Sequence, residues 1–269
     1  MIFDKINSNF EISSIKRSEQ TVMNDTHFHD TYELYYLLSG EINYFIENAV
    51  YGVKKGDMVL IPHNVIHKTQ YQENASSKRI LISFSADFIS GLLKDDPDIL
   101  SCFDQKIISL NKQKMQSAEN IMTQLLNEFA GIYEPNFALV KCLFGQLLIL
   151  LCRQSRKAPA ARNLQFDPRI MEIVDYINRE YKRDITLKLL SEKFYISTSH
   201  LSKLFKSVTG FNYCEYLLNV RIKQAVSMLQ NSDLNITEIA LKVGYNSSNH
   251  FCKSFKAIMG VSPLKYKRI

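Results

Sequence analysis

The sequence predicts a two-domain α+β protein: a barrel or sandwich of short strands with trailing helices, then an all-helical domain. Three observations carry this. Residues 26–85 fall into short β-branched and aromatic runs separated by turn residues. From about residue 87 the apolar spacing becomes helical. Charge also divides along the chain. Residues 1–167 carry 17 Lys/Arg against 19 Asp/Glu, a net of −2, whereas residues 168–269 carry 16 against 8, a net of +8. Such asymmetry suits nucleic-acid binding by the second half alone. A length of 269 residues suits two domains, and 46% hydrophobic content lets each bury a core.

The strand-like runs are YELYYLLSG, EINYFIENA, DMVLIPHN and RILISFS, punctuated by Gly40, Gly52, Gly56 and Pro62. Regular spacing of short strands suggests a closed or two-layered β structure. A helix follows in which Met115, Ala118, Ile121, Met122, Leu125 and Phe129 share a face. The next, PNFALVKCLFGQLLILLCRQ, opens on Pro135, which suits a first turn. It is apolar on nearly all sides, so it serves either a homodimer seam or the domain's own core. Residues 153–168, RQSRKAPAARNLQFDP, read as polar linker sequence, with the linker proper at 156–168. Beyond it helices run to the end, with starts at Ser197, Thr237 and Ser247 and stops at Gly210 and Gly260.

Several function classes are disfavoured. The opening MIFDKINSNF lacks a basic and then apolar signal pattern. The longest apolar stretch, residues 137–152, contains Lys141 and Gln146 and is short for a membrane span. The five cysteines, Cys102, Cys142, Cys152, Cys214 and Cys252, are odd in number and form no CxxC pair. Reduced thiols in a cytoplasm are expected, with no membrane partner. No nucleotide-binding loop, Ser/His/Asp grouping or zinc-finger spacing points to an enzyme.

The C-terminal half contains a repeat. YISTSHLSKLFKSVTGFNYCEY and YNSSNHFCKSFKAIMGVSPLKY align at an offset of fifty residues, with identities at Tyr195/Tyr245, Ser197/Ser247, His200/His250, Lys203/Lys253, Phe205/Phe255, Lys206/Lys256, Gly210/Gly260 and Tyr216/Tyr266. A short amphipathic helix precedes each copy, so each reads as helix, tight turn, helix, at about 187–208 and 236–259. The second helix of each unit has apolar residues on one side. The other side carries Thr198, Ser199, His200, Lys203 and Lys206, or Ser248, Asn249, His250, Lys253 and Lys256. Short polar groups near a helix N-terminus can reach base edges in the major groove, and lysines farther along can meet phosphates. Residues 212–230 would form a rod of about 28 Å, near the roughly 34 Å between successive major-groove segments. Arg221 and Lys223 on this rod are candidates for backbone phosphates.

These motifs resemble the DNA-binding domain of the AraC/XylS family of bacterial transcription regulators. The resemblance covers about residues 168–269 and includes the specific ending GVSPLKY at 260–266. Tyr245 stands where the family more often has Phe, and His250 is a mild variant. The family implies two helix-turn-helix units on promoter DNA.

The first half resembles the cupin barrel that many members of that family carry. THFHDTYELYYLLSG, residues 26–40, matches the first cupin motif at His27, His29, Glu33 and Gly40, with Thr21 in place of the upstream glycine. The second motif matches at Gly56, Pro62 and His67, but Asn64 replaces a glycine and Tyr71 the final asparagine. In metal-binding cupins, His27, His29, Glu33 and His67 would be the ligands. That set suits several divalent metals and does not choose between them. The other role for these residues is to line an effector pocket. Tyr35, Thr69 and Tyr71 share their inward parity.

The expected protein is therefore a cytoplasmic, homodimeric regulator of domains 1–155, 156–168 (linker) and 169–269. A small, sugar-like effector would sit in the barrel. Promoter DNA and, for an activator, RNA polymerase would be partners. No cofactor is required; a divalent metal in the barrel is the option left open. The alternative is a metal-dependent cupin enzyme or metal sensor fused to a DNA-binding domain. A barrel used only for dimerisation is a further alternative.

Overall fold

The computed structural model describes residues 9–17, 29–70, 76–131, 134–156, 164 and 166–268. Its strands, in chain order, are β1 (Phe10–Arg17), β2 (Tyr32–Ser39), β3 (Glu41–Ile46), β4 (Ala49–Lys54), β5 (Asp57–Ile61), β6 (His67–Gln70), β7 (Ser77–Phe84) and β8 (Ile107–Ser109). A five-stranded sheet runs β1-β7-β2-β5-β8, and a three-stranded sheet runs β4-β3-β6. All described pairings are antiparallel. The chain crosses from β2 to β3 at Gly40, whose φ is +90° and where a Cβ would lie 2.6 Å from the Ser76 carbonyl oxygen. Only glycine meets both conditions.

Strand β2 is buried on both faces. Tyr35 and Leu37 join the barrel interior, whereas Leu34 and Tyr36 face the helices behind the larger sheet. This double burial explains the near-continuous apolar run YELYYLLS. The covering layer contains α1 (Ser90–Asp95), α2 (Lys112–Ala130) and α3 (Phe137–Ser155). Helix α3 is long and apolar enough to cross a membrane, but Val140, Phe144, Leu147, Leu148 and Leu151 are fully buried against the sheet and α2. Its core role is thus visible. Leu139 and Ile149 remain exposed on its outer side.

The second half contains α4 (Pro168–Glu180), α5 (Leu187–Lys193), α6 (Thr198–Thr209), α7 (Tyr213–Asn231), α8 (Ile236–Lys242), α9 (Ser248–Met259) and α10 (Pro263–Tyr266). Asn235, not Thr237, caps α8: its side chain accepts from the Glu238 N–H, and Glu238 returns a bond to the Asn235 N–H. Thr237 lies inside the first turn.

The repeat also departs from a uniform offset of fifty. Tyr195 is 92% exposed with φ +51°, whereas Tyr245 is 4% exposed. Ile196 N–H bonds the Ser191 carbonyl and Tyr245 N–H bonds the Ala240 carbonyl, so Ile196 and Tyr245 are equivalent. Tyr195 then matches Gly244, whose φ is +91°. The offset is 49 through the turn and becomes fifty after one extra residue, Asn246.

Candidate effector site and nucleic-acid interface

The barrel end near β2 and β6 gathers three polar side chains. His29, just ahead of β2, directs Nδ1 to the Thr31 carbonyl oxygen at 2.9 Å. His67, at the start of β6, directs Nδ1 to the Val65 carbonyl oxygen at 2.8 Å. A carbonyl only accepts, so each Nδ1 carries a proton and each Nε2 is left for the site. Both turn to one carboxylate oxygen: Glu33 Oε2 lies 3.2 Å from His29 Nε2 and 3.6 Å from His67 Nε2. The Tyr44 hydroxyl donates to Glu33 Oε1 at 3.0 Å.

Burial alone would penalise these charges. At Glu33 it works toward a higher pKa, but hydrogen bonds and charge from His29 and His67 override it and hold the carboxyl well below its ordinary range. At His29 burial opposes the cation, yet the Glu33 hydrogen bond and charge raise its pKa. Burial first, and then the Glu33 charge, push the Tyr44 phenol well up, so it stays a donor.

The donor atoms of His29, Glu33 and His67 lie within 4.8 Å of one another. Two imidazole nitrogens and a carboxylate oxygen on one point fit a divalent transition metal. A proton on an Nε2 satisfies the same carboxylate. His27 and Tyr71 lie outside the described residues. Tyr35 is buried, edge-on to Tyr44 at 5.4 Å between centroids and under the Arg79 guanidinium at 5.2 Å. Thr69 is half-buried and pairs across from Tyr44. Tyr44 and Arg79 were not singled out by the motif. Strand register is the signal for both, because Tyr44 pairs with Thr69 and Arg79 with Leu37.

In the helical half, Ser197 and Ser247 cap α6 and α9 through the His200 and His250 N–H groups. Leu201, Phe205 and Val208 on α6, and Phe251 and Phe255 on α9, are buried. Thr198, Ser199, His200, Lys203 and Lys206 stand exposed on the opposite face of α6. On α9, Asn249, His250, Lys253 and Lys256 are exposed and Ser248 is half-buried. Arg221 is placed otherwise than the sequence suggested. Its guanidinium donates to the Tyr181 and Arg183 carbonyl oxygens, each at 2.8 Å, and packs over the Tyr245 ring. These bonds make it a brace within the domain. Lys223 lines a cleft of about 390 Å³ with Glu47, Asn178 and Tyr216, where burial lowers its pKa.

The two halves meet on the outer face of β3 and β6. Tyr44, Ile46 and His67 face the barrel, but Phe45 and Lys68 point the other way. Phe45 packs against Phe211 and Tyr216, with centroids 6.1 and 5.8 Å apart. Lys68 Nζ pairs with Glu215 Oε1 at 2.7 Å and lies over the Phe211 ring. The Gln70 amide donates to the Val208 carbonyl near the end of α6, and the Tyr216 hydroxyl donates to the Glu47 carbonyl at 3.1 Å.

A β-barrel with an apolar interior and a His29–Glu33–His67 cluster at one end, docked to a pair of helix-turn-helix units, defines a one-chain regulator with sensor and DNA-binding parts. The profile of the AraC-like ligand binding domain matches residues 14–148, and that of a helix-turn-helix domain matches residues 190–269. The chain belongs to the AraC-type family of transcription regulators. It is 24% identical over 239 residues to the HTH-type transcriptional activator RhaS of Citrobacter koseri, covering 88% of this chain and 85% of that one. An uncharacterized HTH-type transcriptional regulator of Staphylococcus aureus is 26% identical over 233 residues; the match covers 86% of this chain but only 31% of that longer protein. Among solved structures, an apo ToxT variant from Vibrio cholerae aligns over 97% of this chain and 98% of its own, with 15% identity and a TM-score of 0.43. The Citrobacter koseri and Staphylococcus aureus relatives are both described as transcriptional regulators.

Proposed function

We propose that this protein is a homodimeric, cytoplasmic activator that binds promoter DNA through residues 169–269 and a small hydroxylated effector through residues 1–155, with 156–168 as linker. The carrying observation is the alternation on β3 and β6. Tyr44 and His67 belong to the polar barrel site, and their chain neighbours Phe45 and Lys68 belong to the seam with α6 and α7. Alternation along a strand sets each barrel-site residue next in sequence to a seam residue. His29, Glu33, Tyr35, His67 and Thr69 would bind the effector, with His27 and Tyr71 as further candidates. Hydroxyl, imidazole and aromatic groups suit a sugar-like molecule.

On DNA, Thr198, Ser199 and His200 of α6 and Ser248, Asn249 and His250 of α9 would read bases. Lys203, Lys206, Lys253 and Lys256 would meet phosphates. The exposed Leu139 and Ile149 of α3 support a dimer seam there. RNA polymerase is the partner an activator would engage. The test is anisotropy of the purified protein on its own upstream DNA and on random duplex at several salt concentrations. A salt-sensitive preference for its own DNA is expected; equal binding to both would overturn the reading.

A second reading is favoured by the two Nε2 atoms on one carboxylate oxygen: His29, Glu33 and His67, with His27, would hold a divalent metal that fixes the effector or is itself the signal. The metal would supply a Lewis-acidic point for an effector oxygen. Elemental analysis of protein purified without chelator decides it. Stoichiometric metal lost in His29→Ala/His67→Ala is the expected result; background metal in both proteins would discard this second reading.

A further inference from the structure

We propose that Cys102 and Cys152 form a reversible dithiol–disulfide site that is oxidised by peroxide. Cys102 lies in the 3₁₀ turn Ser101–Asp104, and Cys152 in the last turn of α3. Both sulfurs converge on the Ile99 carbonyl oxygen, Cys152 Sγ at 3.0 Å and Cys102 Sγ at 3.9 Å. The Ser101 hydroxyl points at Cys152 Sγ from 3.9 Å. Neighbouring thiols fifty positions apart in sequence, on two different elements, are brought together by their shared contact with the Ile99 carbonyl oxygen, as a disulfide requires.

The two sulfurs are not equivalent. Cys102 is 0% exposed and Cys152 is 8% exposed, so a small oxidant meets Cys152 first. The neighbouring Cys102 side chain outweighs burial and lowers the Cys152 pKa to about 6, whereas the neighbouring Cys152 side chain and burial push Cys102 up. Cys152 is then the thiolate that attacks, and Cys102 the thiol that resolves.

The chemistry balances with hydrogen peroxide as oxidant. The Cys152 thiolate attacks one peroxide oxygen, the O–O bond breaks, and the released hydroxide takes a proton to leave as water. Cys152 is now a sulfenic acid. The Cys102 sulfur attacks the Cys152 sulfur, the S–S bond forms and the S–O bond breaks. The second hydroxide leaves with the Cys102 proton as water. Two thiols and one peroxide give one disulfide and two waters, and a small-molecule dithiol reverses the change by exchange. The bond would tie the turn beneath the larger sheet to the end of α3, the helix that leads toward the DNA-binding domain.

The experiment uses the full chain, treated with hydrogen peroxide, then denatured in N-ethylmaleimide, digested and mapped by mass. A linked Cys102–Cys152 peptide that disappears with dithiothreitol is expected, while Cys142, Cys214 and Cys252 carry the alkylating group. In Cys102→Ser, dimedone should trap the Cys152 sulfenic acid. The inference is overturned if Cys102 and Cys152 both remain alkylated at a peroxide dose that oxidises the exposed Cys142 and Cys214. It is equally overturned if Cys152 proceeds to sulfinic acid without any linked peptide. Should the serine variant fail to fold, the map of the unsubstituted protein decides alone.

Discussion

Replacing Phe45 by alanine separates the docking of the two domains from the folding of either. Phe45 is fully buried, yet it points out of the barrel and belongs to the same apolar cluster as Phe205, Phe211 and Tyr216. Truncating a buried phenylalanine costs about 3–5 kcal/mol. Because the ring packs against the helical domain, most of that cost falls on the seam. At about 1.4 kcal/mol per factor of ten, the docking equilibrium drops by roughly two to three and a half orders of magnitude. Scanning calorimetry of the full chain reads this directly. The unsubstituted protein should melt in one transition, and Phe45→Ala in two. Leu139→Ala, at a residue 44% exposed on α3, is the comparison and should keep one transition. A single transition in Phe45→Ala, at any temperature, would mean that the domains stay docked, and the reasoning about this face fails.

Other outcomes are equally specific. In chelator-treated protein, Glu33 has a lowered pKa, so its stabilisation is present above its ordinary value of 4.5 and is lost as pH falls through the folded value. His29 has a raised pKa, so its stabilisation is full below 6.5 and fades as pH rises through the folded value. The Tm gap between unsubstituted protein and Glu33→Gln should therefore be widest between pH 4.5 and 6.5, and a gap that widens at alkaline pH would contradict the cluster. Lys203→Ala should weaken DNA binding and reduce the salt slope by about 1. Arg221→Ala should leave that slope alone and cost about 2 kcal/mol of stability through its lost carbonyl bonds, as read by urea melts. Tyr195→Gly should raise stability by up to about 1 kcal/mol by relieving a left-handed backbone. Gly244→Ala should lower it in the same melts, since its Cβ would meet the Lys182 carbonyl oxygen at 2.7 Å.

Much of the architecture is legible because local chemistry specifies it. Gly40 at positive φ, serine caps at Ser197 and Ser247, and left-handed Gly210 and Gly260 mark element ends that the backbone requires. The cap of α8 is ambiguous in sequence because Asn235 and Thr237 both suit that role, and only the reciprocal bond with Glu238 separates them. Strands β1 and β8 carry little sequence signal, for different reasons. FEISSIKR has five polar residues among eight and lies at a sheet edge, and β8 has three residues. The repeat hid its inserted residue because identical tyrosines at 195 and 245 masked a shift in the turn. At the barrel site, spacing singles out His29, Glu33 and His67, but Tyr44 and Arg79 enter through strand register, which residue type does not encode. Phe45 did leave a trace as an apolar side chain on the outer parity of β3. What covers it is a matter of long-range packing.

That covering surface also sets the terms on which the protein can be regulated. An effector shifts an equilibrium only by its difference in affinity between two states. Here the states would differ in whether α6 and α7 rest on β3 and β6. A ligand that draws on Glu33 competes for the Tyr44 hydroxyl and the His67 imidazole. Each of these is one residue from a seam contact, Phe45 beside Tyr44 and Lys68 beside His67. The effector therefore has a structural route to differential affinity without touching DNA. Linkage then requires the reverse effect. DNA that favours one placement of α6, whose end is bound by Gln70, must change effector affinity by the same factor as the effector changes DNA affinity. A barrel serving dimerisation alone would show no such reciprocity, so the paired measurement separates a sensor from a scaffold.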